Sequence, residues 1–220
     1  MNRAGGNTLT IKGILFDLDG TLIDTTELIL QSFDHTIQTH FDQPADREIV
    51  IRYFGRPLRE AFTHMAPGRE DDLITTYRAF NLEQHDRLTR AYPTVSDTVQ
   101  QLKQSGYKLG VVTSKFSASA LRGLQLFGLD AYFDSIIGVD KCTYHKPHPE
   151  PVQIGAKSLS LTPAECLMVG DAPADLLSAA AAGSLSAAVK WTLVPWTDIQ
   201  AAQPTYVLEQ MSDLLPLLNQ

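Results

Sequence analysis

The chain contains only two cysteines in 220 residues. Cys142 and Cys166 are too few for a disulfide framework and lie in no spacing that suggests zinc or redox chemistry, so both read as free structural thiols. No window approaches the roughly 20 consecutive apolar residues of a membrane span, which argues against a membrane partner. Residues 1–10 are polar and lack an apolar centre, so no secretory signal is expected there. A basic excess is also missing: 18 Lys and Arg stand against 25 Asp and Glu, for a formal charge of -7. Nucleic acid is therefore not expected as a partner, because a phosphate backbone selects a basic face. A small anionic substrate stays open, since a bound metal can reverse the local field. These absences predict a cytoplasmic protein.

What is present is ordinary for a globular chain, with 44% hydrophobic and 20% charged residues. The length suits one sizeable core, or a core with a smaller insertion. Gly13-Ile14-Leu15-Phe16 is a short apolar run ending in Asp17-Leu18-Asp19-Gly20-Thr21. Similar runs occur at residues 109–112, 135–139, 167–169 and 187–189. Short, uncharged runs of this kind read as strands buried on both faces of a parallel sheet. Helical patterns lie between them. Val95, Val99 and Leu102 share one face before Gly106. Leu121, Leu124 and Phe127 are expected to face inward before Gly128, and a further helix is expected over residues 173–183. Thr162-Pro163-Ala164-Glu165 has the pattern of a capped turn. The alternation predicts a doubly wound, Rossmann-like α/β core.

Residues 22–91 break the alternation. They show helical periodicity, as in Leu28, Ile29, Phe33 and Ile37, and no convincing strand. The expected division is a catalytic core of residues 1–21 and 92–220 with an all-α insertion at 22–91. After Pro204, Val207-Leu208 and an apolar stretch near Leu214 are expected to pack on the sheet edge.

In open α/β sheets, ligands bind beyond the carboxyl ends of the strands. Four such ends here carry Asp17 with Asp19, Thr113 with Ser114, Lys146 after a short loop, and Asp171 with Asp175. Asp17, Asp19 and Asp171 are expected within a few ångströms of one another. Two like charges 4 Å apart cost about 4 kcal/mol at an effective dielectric near 20. Either some of these carboxylates are protonated or a cation is present. Hard oxygen donors without nearby His or Cys favour magnesium. The pair Asp17 and Asp19 suits a division between attack at phosphorus and proton handling. Thr113 and Lys146, with backbone amides near Leu18 and Ser114, suit a transferring phosphoryl group. Lys115 and Lys141 are weaker alternatives to Lys146.

The stretch from Phe16 to Asp24 resembles the first motif of the haloacid dehalogenase superfamily. Val111-Val112-Thr113 resembles its second motif, Lys146-Pro147 its third, and Gly170-Asp171 through Asp175 its fourth. The resemblance implies an aspartyl-phosphate mechanism with Mg2+ as cofactor. It makes Asp17 the nucleophile and a metal ligand, and Asp19 the acid/base and a ligand through its backbone carbonyl. Thr113, Ser114 and Lys146 become the phosphate binders, and Asp171 a further metal ligand. Asp175 is either a ligand or a support behind the ligands. The inserted helices correspond to the superfamily's cap, which closes over the site. Asp19 favours a phosphatase or phosphomutase over a dehalogenase, because expelling a halide needs no proton donor.

Stretches such as Ser32-Phe33-Asp34-His35-Thr36 and Val189-Lys190-Trp191-Thr192 resemble the branch of HAD-type pyrophosphatases, which borders phosphoglycolate phosphatases. The expected substrate is a small phosphate-bearing molecule, with pyrophosphate first and phosphoglycolate or another monoester as the alternative. A phosphomutase or a non-catalytic regulator stands behind these, and monomer and homodimer both stay open. One departure is that Ala172-Pro173-Ala174, between the two fourth-motif aspartates, is small and apolar. Arg52 and Arg56 are candidates for the far end of the substrate, because arginine grips multi-oxygen anions. The alternative is a solvated helix face paired with Glu48 or Glu60.

Overall fold

The computed structural model describes residues 11–218. The expectation for residues 1–10 lies outside them. Among the described residues, eight strands and ten α-helices follow in chain order, beginning with β1 (Gly13–Phe16) and β2 (Ile23–Asp24). Four helices come next: α1 (Thr26–Phe41), α2 (Arg47–Arg52), α3 (Leu58–Met65) and α4 (Glu70–Leu88). The chain returns through β3 (Arg90–Ala91) and then alternates as α5 (Val95–Gln104), β4 (Lys108–Val112), α6 (Ser117–Leu126) and β5 (Ser135–Ile137). The second half runs α7 (Glu150–Ser158), β6 (Cys166–Gly170), α8 (Pro173–Ala182), β7 (Leu185–Val189), α9 (Trp196–Ala201), β8 (Tyr206–Leu208) and α10 (Leu214–Leu218).

Six strands form one parallel sheet in the order β5-β4-β1-β6-β7-β8. The chain winds outward from β1 in one direction, then returns to build the other half from β6. The crevice above β1 and β6 is thus the switch point where such sheets bind ligands. Successive side chains of β1 enter opposite layers, as the strand period of two requires. Ile14 and Phe16 join Val99, Leu102 and Leu124 from α5 and α6, whereas Leu15 joins Val152 and Ala156 from α7. The expected doubly wound α/β sheet is what the chain forms.

Helices α1 to α4 pack around their own apolar cluster, in which Phe33 lies 5.2 Å from Phe62 and 5.0 Å from Tyr77 between ring centroids. Here the sequence reading needs correction. It finds no strand in residues 22–91, yet β2 and β3 pair antiparallel at both ends of this helical unit, Ile23 with Ala91 and Asp24 with Arg90. Two residues per strand are too few for a periodic signal.

A second correction concerns α6. Leu121 is 39% exposed, and the buried positions are Ala120, Gly123 and Leu124. Small residues set this face because α6 packs closely on the first motif: a Cβ on Gly123 would stand 2.8 Å from Ile23 Cδ1. The strand expected over 135–139 ends at Ile137, and residues 139–141 form a 3₁₀ turn. Among the described residues, no helix is long and apolar enough to cross a membrane.

Candidate active site

Asp17 follows β1 directly, and its backbone N–H donates to Val169 O at 2.8 Å, which carries the β1–β6 pairing one residue beyond the strand. Its carboxylate is 3% exposed. Lys146 Nζ meets it at 2.7 Å and also donates to Asp175 at 2.5 Å and to Val112 O at 3.1 Å. Those three contacts fix the ammonium beside the Asp17 carboxylate. Asp175 opens the first turn of α8, where its other oxygen accepts from Ala172 N at 3.1 Å. It is fully buried and placed by the helix start.

Asp171 follows β6 and is equally buried. Its side-chain partners among the described residues are hydroxyls alone, Thr21 at 3.5 Å and Thr192 at 3.3 Å. Gly20 has φ +80°, and a Cβ there would stand 2.5 Å from Asp171 Oδ2, so both the turn and the approach require glycine.

Ligand oxygens of Asp17, Asp171 and Asp175 all lie within 4.8 Å of one another. The carboxylate group expected of Asp17, Asp19 and Asp171 is thus completed by Asp175. Asp19 turns its carboxylate aside, accepting from Thr25 Oγ1 at 2.6 Å and Lys115 Nζ at 2.5 Å.

Burial, with the Asp175 and Asp19 charges behind it, raises the Asp17 carboxyl from 3.8 to about 7, against the opposing pull of Lys146. Asp171 is pushed well upward by burial and then by Asp17 and Asp175. Burial acts to lower Lys146, but the two aspartates outweigh it and hold the ammonium above its ordinary range. One buried lysine thus faces three buried carboxylates. That excess of hard oxygen donors, with Asp171 lacking any cation within hydrogen-bond distance among the described residues, fits a bound magnesium ion.

Thr113 directly follows β4, is 5% exposed, and accepts from Lys115 N at 3.1 Å. Ser114 Oγ donates to Gly55 O at 2.8 Å, on the loop between α2 and α3. A narrow cleft opens beside these groups, with Asp19 and Asp171 below it and Thr26, Phe54, Tyr92 and Trp191 around it. Arg52 and Arg56 are exposed and neither lines this cleft. The Arg56 guanidinium lies 5.7 Å from the Tyr53 ring centre. Arg59 pairs with Asp71, not with Glu48 or Glu60. Lys141 donates to Ile136 O at 2.7 Å on the exposed side of β5, away from the carboxylates.

Sequence reasoning passed over Thr25 and Thr192 and ranked Lys115 low. Thr25 stands at the start of α1, a position that reads as a helix cap. Its hydroxyl instead serves Asp19, while Asp24 accepts from Thr26 N at 3.0 Å. Polarity just past a strand end was the available signal at Thr192, three residues beyond β7.

Residues 14–189 match the model of the haloacid dehalogenase-like hydrolases. The chain is 44% identical over 211 residues to pyrophosphatase PpaX of Bacillus thuringiensis strain Al Hakam, covering 96% of this chain and 98% of that relative. A solved structure described as a predicted phosphoglycolate phosphatase from Haemophilus somnus is 28% identical, with TM-score 0.81, over 96% of this chain and 99% of that one. A haloacid dehalogenase-like protein from Streptococcus pneumoniae shares the fold at TM-score 0.85 and 24% identity, over 94% and 98% of the two chains. The chain belongs to the haloacid dehalogenase-like hydrolase family. It is an enzyme of the phosphatase kind.

Proposed function

We propose that this enzyme hydrolyses inorganic pyrophosphate with Mg2+ as cofactor and a phosphoryl-aspartate on Asp17. The observation that carries the substrate is the 44% identity to a pyrophosphatase along nearly the whole of both chains. The chemistry follows from the buried arrangement of Asp17, Lys146, Asp171 and Asp175.

An Asp17 oxygen attacks one phosphorus, and the bond from that phosphorus to the bridging oxygen breaks. Asp19 gives its proton to the departing phosphate. Water then attacks the phosphorus of the phosphoryl-aspartate, Asp19 takes a proton from that water, and the Asp17 carboxylate is restored. Thr113 and Lys146 hold the oxygens of the transferring group, together with backbone amides near Leu18 and Ser114. Asp17, Asp171 and the Asp19 carbonyl would hold magnesium, with Asp175 fixed behind them by Lys146 and the Ala172 amide. When bound, the ion supplies positive charge against which Asp17 stays ionised and phosphate oxygens are drawn in.

Helices α1 to α4 act as the cap, with Phe54 and the Gly55 loop over the cleft. The division lies near residues 22 and 91, at the β2–β3 ribbon. The apolar Ala172 has a steric counterpart in this loop: a Cβ on Gly55 would stand 2.5 Å from the Ala172 Cβ. A larger residue at 172 would hold the loop off the core.

Phosphoglycolate is the second reading, favoured by the solved relative described as a predicted phosphoglycolate phosphatase. Phosphate release from pyrophosphate, phosphoglycolate and sugar phosphates, with and without Mg2+, tests both. Magnesium-dependent turnover of pyrophosphate well above the others supports the first. Preference for phosphoglycolate overturns the substrate and keeps the mechanism.

A further inference from the structure

Pyrophosphate presents two charged phosphates, and the departing one carries its own negative charge. The site therefore needs a cation on the leaving-group side as well as on the transferring side. Lys146 belongs to the transferring side, where its ammonium meets the nucleophile Asp17 together with Asp175 and Val112 O. Arg52 and Arg56 are exposed and make no ion pair with the site carboxylates among the described residues. That leaves Lys115. Its Nζ lies 2.5 Å from Asp19 Oδ1, on the carboxylate assigned to protonate the leaving oxygen. Asp19 is its one hydrogen-bond acceptor among the described residues, so two ammonium protons are free for a second anion.

The backbone holds Lys115 in this position. Its N–H donates to Thr113 Oγ1 at 3.1 Å, and its carbonyl accepts from Val139 N at 2.9 Å. The side chain leaves a fixed loop at the end of β4 and points at Asp19, with 16% of its surface exposed. Asp19 is 19% exposed and lines the cleft, so the ion pair is not sealed in the core.

We infer that Lys115 is the substrate-binding residue for the departing phosphate, and so selects substrates whose leaving group is an anion. The inference rests on the pyrophosphatase reading for the identity of that anion. It differs from a structural role for Lys115 in what it demands of substrate preference. A lysine that only orients Asp19 would aid every substrate needing a proton on its leaving oxygen.

The test compares Lys115→Met, Lys115→Gln and Lys115→Arg in the full chain supplied with Mg2+. Two substrates are used: pyrophosphate, and glycerol phosphate, whose leaving group is a neutral alcohol. The readout is the ratio of kcat/KM for the two. Loss of one charge-assisted hydrogen bond predicts that this ratio falls at least about tenfold in Lys115→Met and Lys115→Gln. Lys115→Arg should keep it within about threefold, since the charge remains. Equal losses on both substrates would overturn the inference and leave Lys115 as a support for Asp19. A Gln variant that keeps the wild-type ratio would overturn it too, by showing that charge is not needed. A wild-type enzyme that prefers phosphoglycolate would sink the pyrophosphate reading separately. The same ratio is then measured with phosphoglycolate, whose carboxylate presents the anion, and the same outcomes decide.

Discussion

Ser114 and Gly55 join the two halves of the molecule through one hydrogen bond, hydroxyl to carbonyl, 2.8 Å long. Ser114 stands one residue past Thr113 at the end of β4, and Gly55 sits on the loop that overhangs the cleft. The contact ties the overhanging loop to the segment proposed to bind phosphate. Gly55 has φ +76°, and a methyl group there would meet Ala172. Gly55→Ala should lift the loop and lower kcat/KM by about tenfold to a hundredfold, the scale of a small misplacement of substrate. Adding Ala172→Gly should restore part of the loss, because the clash goes and only the backbone strain stays. Steady-state kinetics of the single and double variants check this; no restoration would place the defect elsewhere.

Asp17→Asn should abolish turnover while leaving the fold intact. The amide oxygen still accepts from Lys146, but it cannot attack phosphorus. A fall on the order of 10⁴-fold or more matches removal of a covalent nucleophile. Circular dichroism with a phosphate-release assay reads both halves of the prediction, and undiminished activity would sink the mechanism.

Lys146→Met removes the only ammonium that reaches Asp17 and Asp175 among the described residues. Breaking a buried ion pair from one side costs about 3–5 kcal/mol, because the orphaned charge stays in the core. Urea unfolding should show a loss of that size in the metal-free protein and a smaller one with saturating Mg2+. A loss below about 1 kcal/mol would mean the carboxylates are solvated or protonated without the lysine.

The pH dependence of metal-free stability follows from Asp17, whose carboxyl moves from 3.8 to about 7 on folding. A group with a raised folded pKa binds its proton more tightly in the folded state. Its contribution to stability is therefore full below about pH 4, declines as pH rises, and is gone above about pH 7. Magnesium should reverse this penalty, because it favours the ionised form. Thermal unfolding at about pH 5.5 and about pH 8 should show a larger Mg2+-induced rise at the higher pH. An equal rise at both would show that Asp17 is not the group being neutralised.

Much of the molecule was legible in its amino-acid order. The β-rich runs ending in Asp17, Thr113 and Asp171 announce buried parallel strands, and their polar ends mark the crevice, because backbone period and burial leave a local trace. What escaped depends on side-chain direction or on pairing across long separations. Asp19 has the spacing to join Asp17, yet Thr25 and Lys115 draw its carboxylate aside, and Asp175 takes the place expected for it. Leu121 carries the right hydrophobicity for an inward face, but the close approach of α6 selects Ala120 and Gly123 there instead. The ribbon of Ile23-Asp24 with Arg90-Ala91 is stabilised by a partner more than sixty residues away, and no window along the chain contains both.

That ribbon also governs how the chain is connected. The polypeptide enters the helical unit through Ile23–Asp24 and leaves it through Arg90–Ala91, and the two crossings are hydrogen-bonded neighbours. Bringing loop ends together costs little more for a long loop than for a moderate one. A short turn joining Asp24 to Arg90 would leave the ribbon as a simple hairpin and leave every strand of the sheet in register. From the standpoint of the folding sheet, everything from Thr25 to Thr89 is a single hairpin loop. It can be lengthened, shortened or exchanged with the sheet intact, provided the exchange keeps the Thr25 hydroxyl that holds the Asp19 carboxylate.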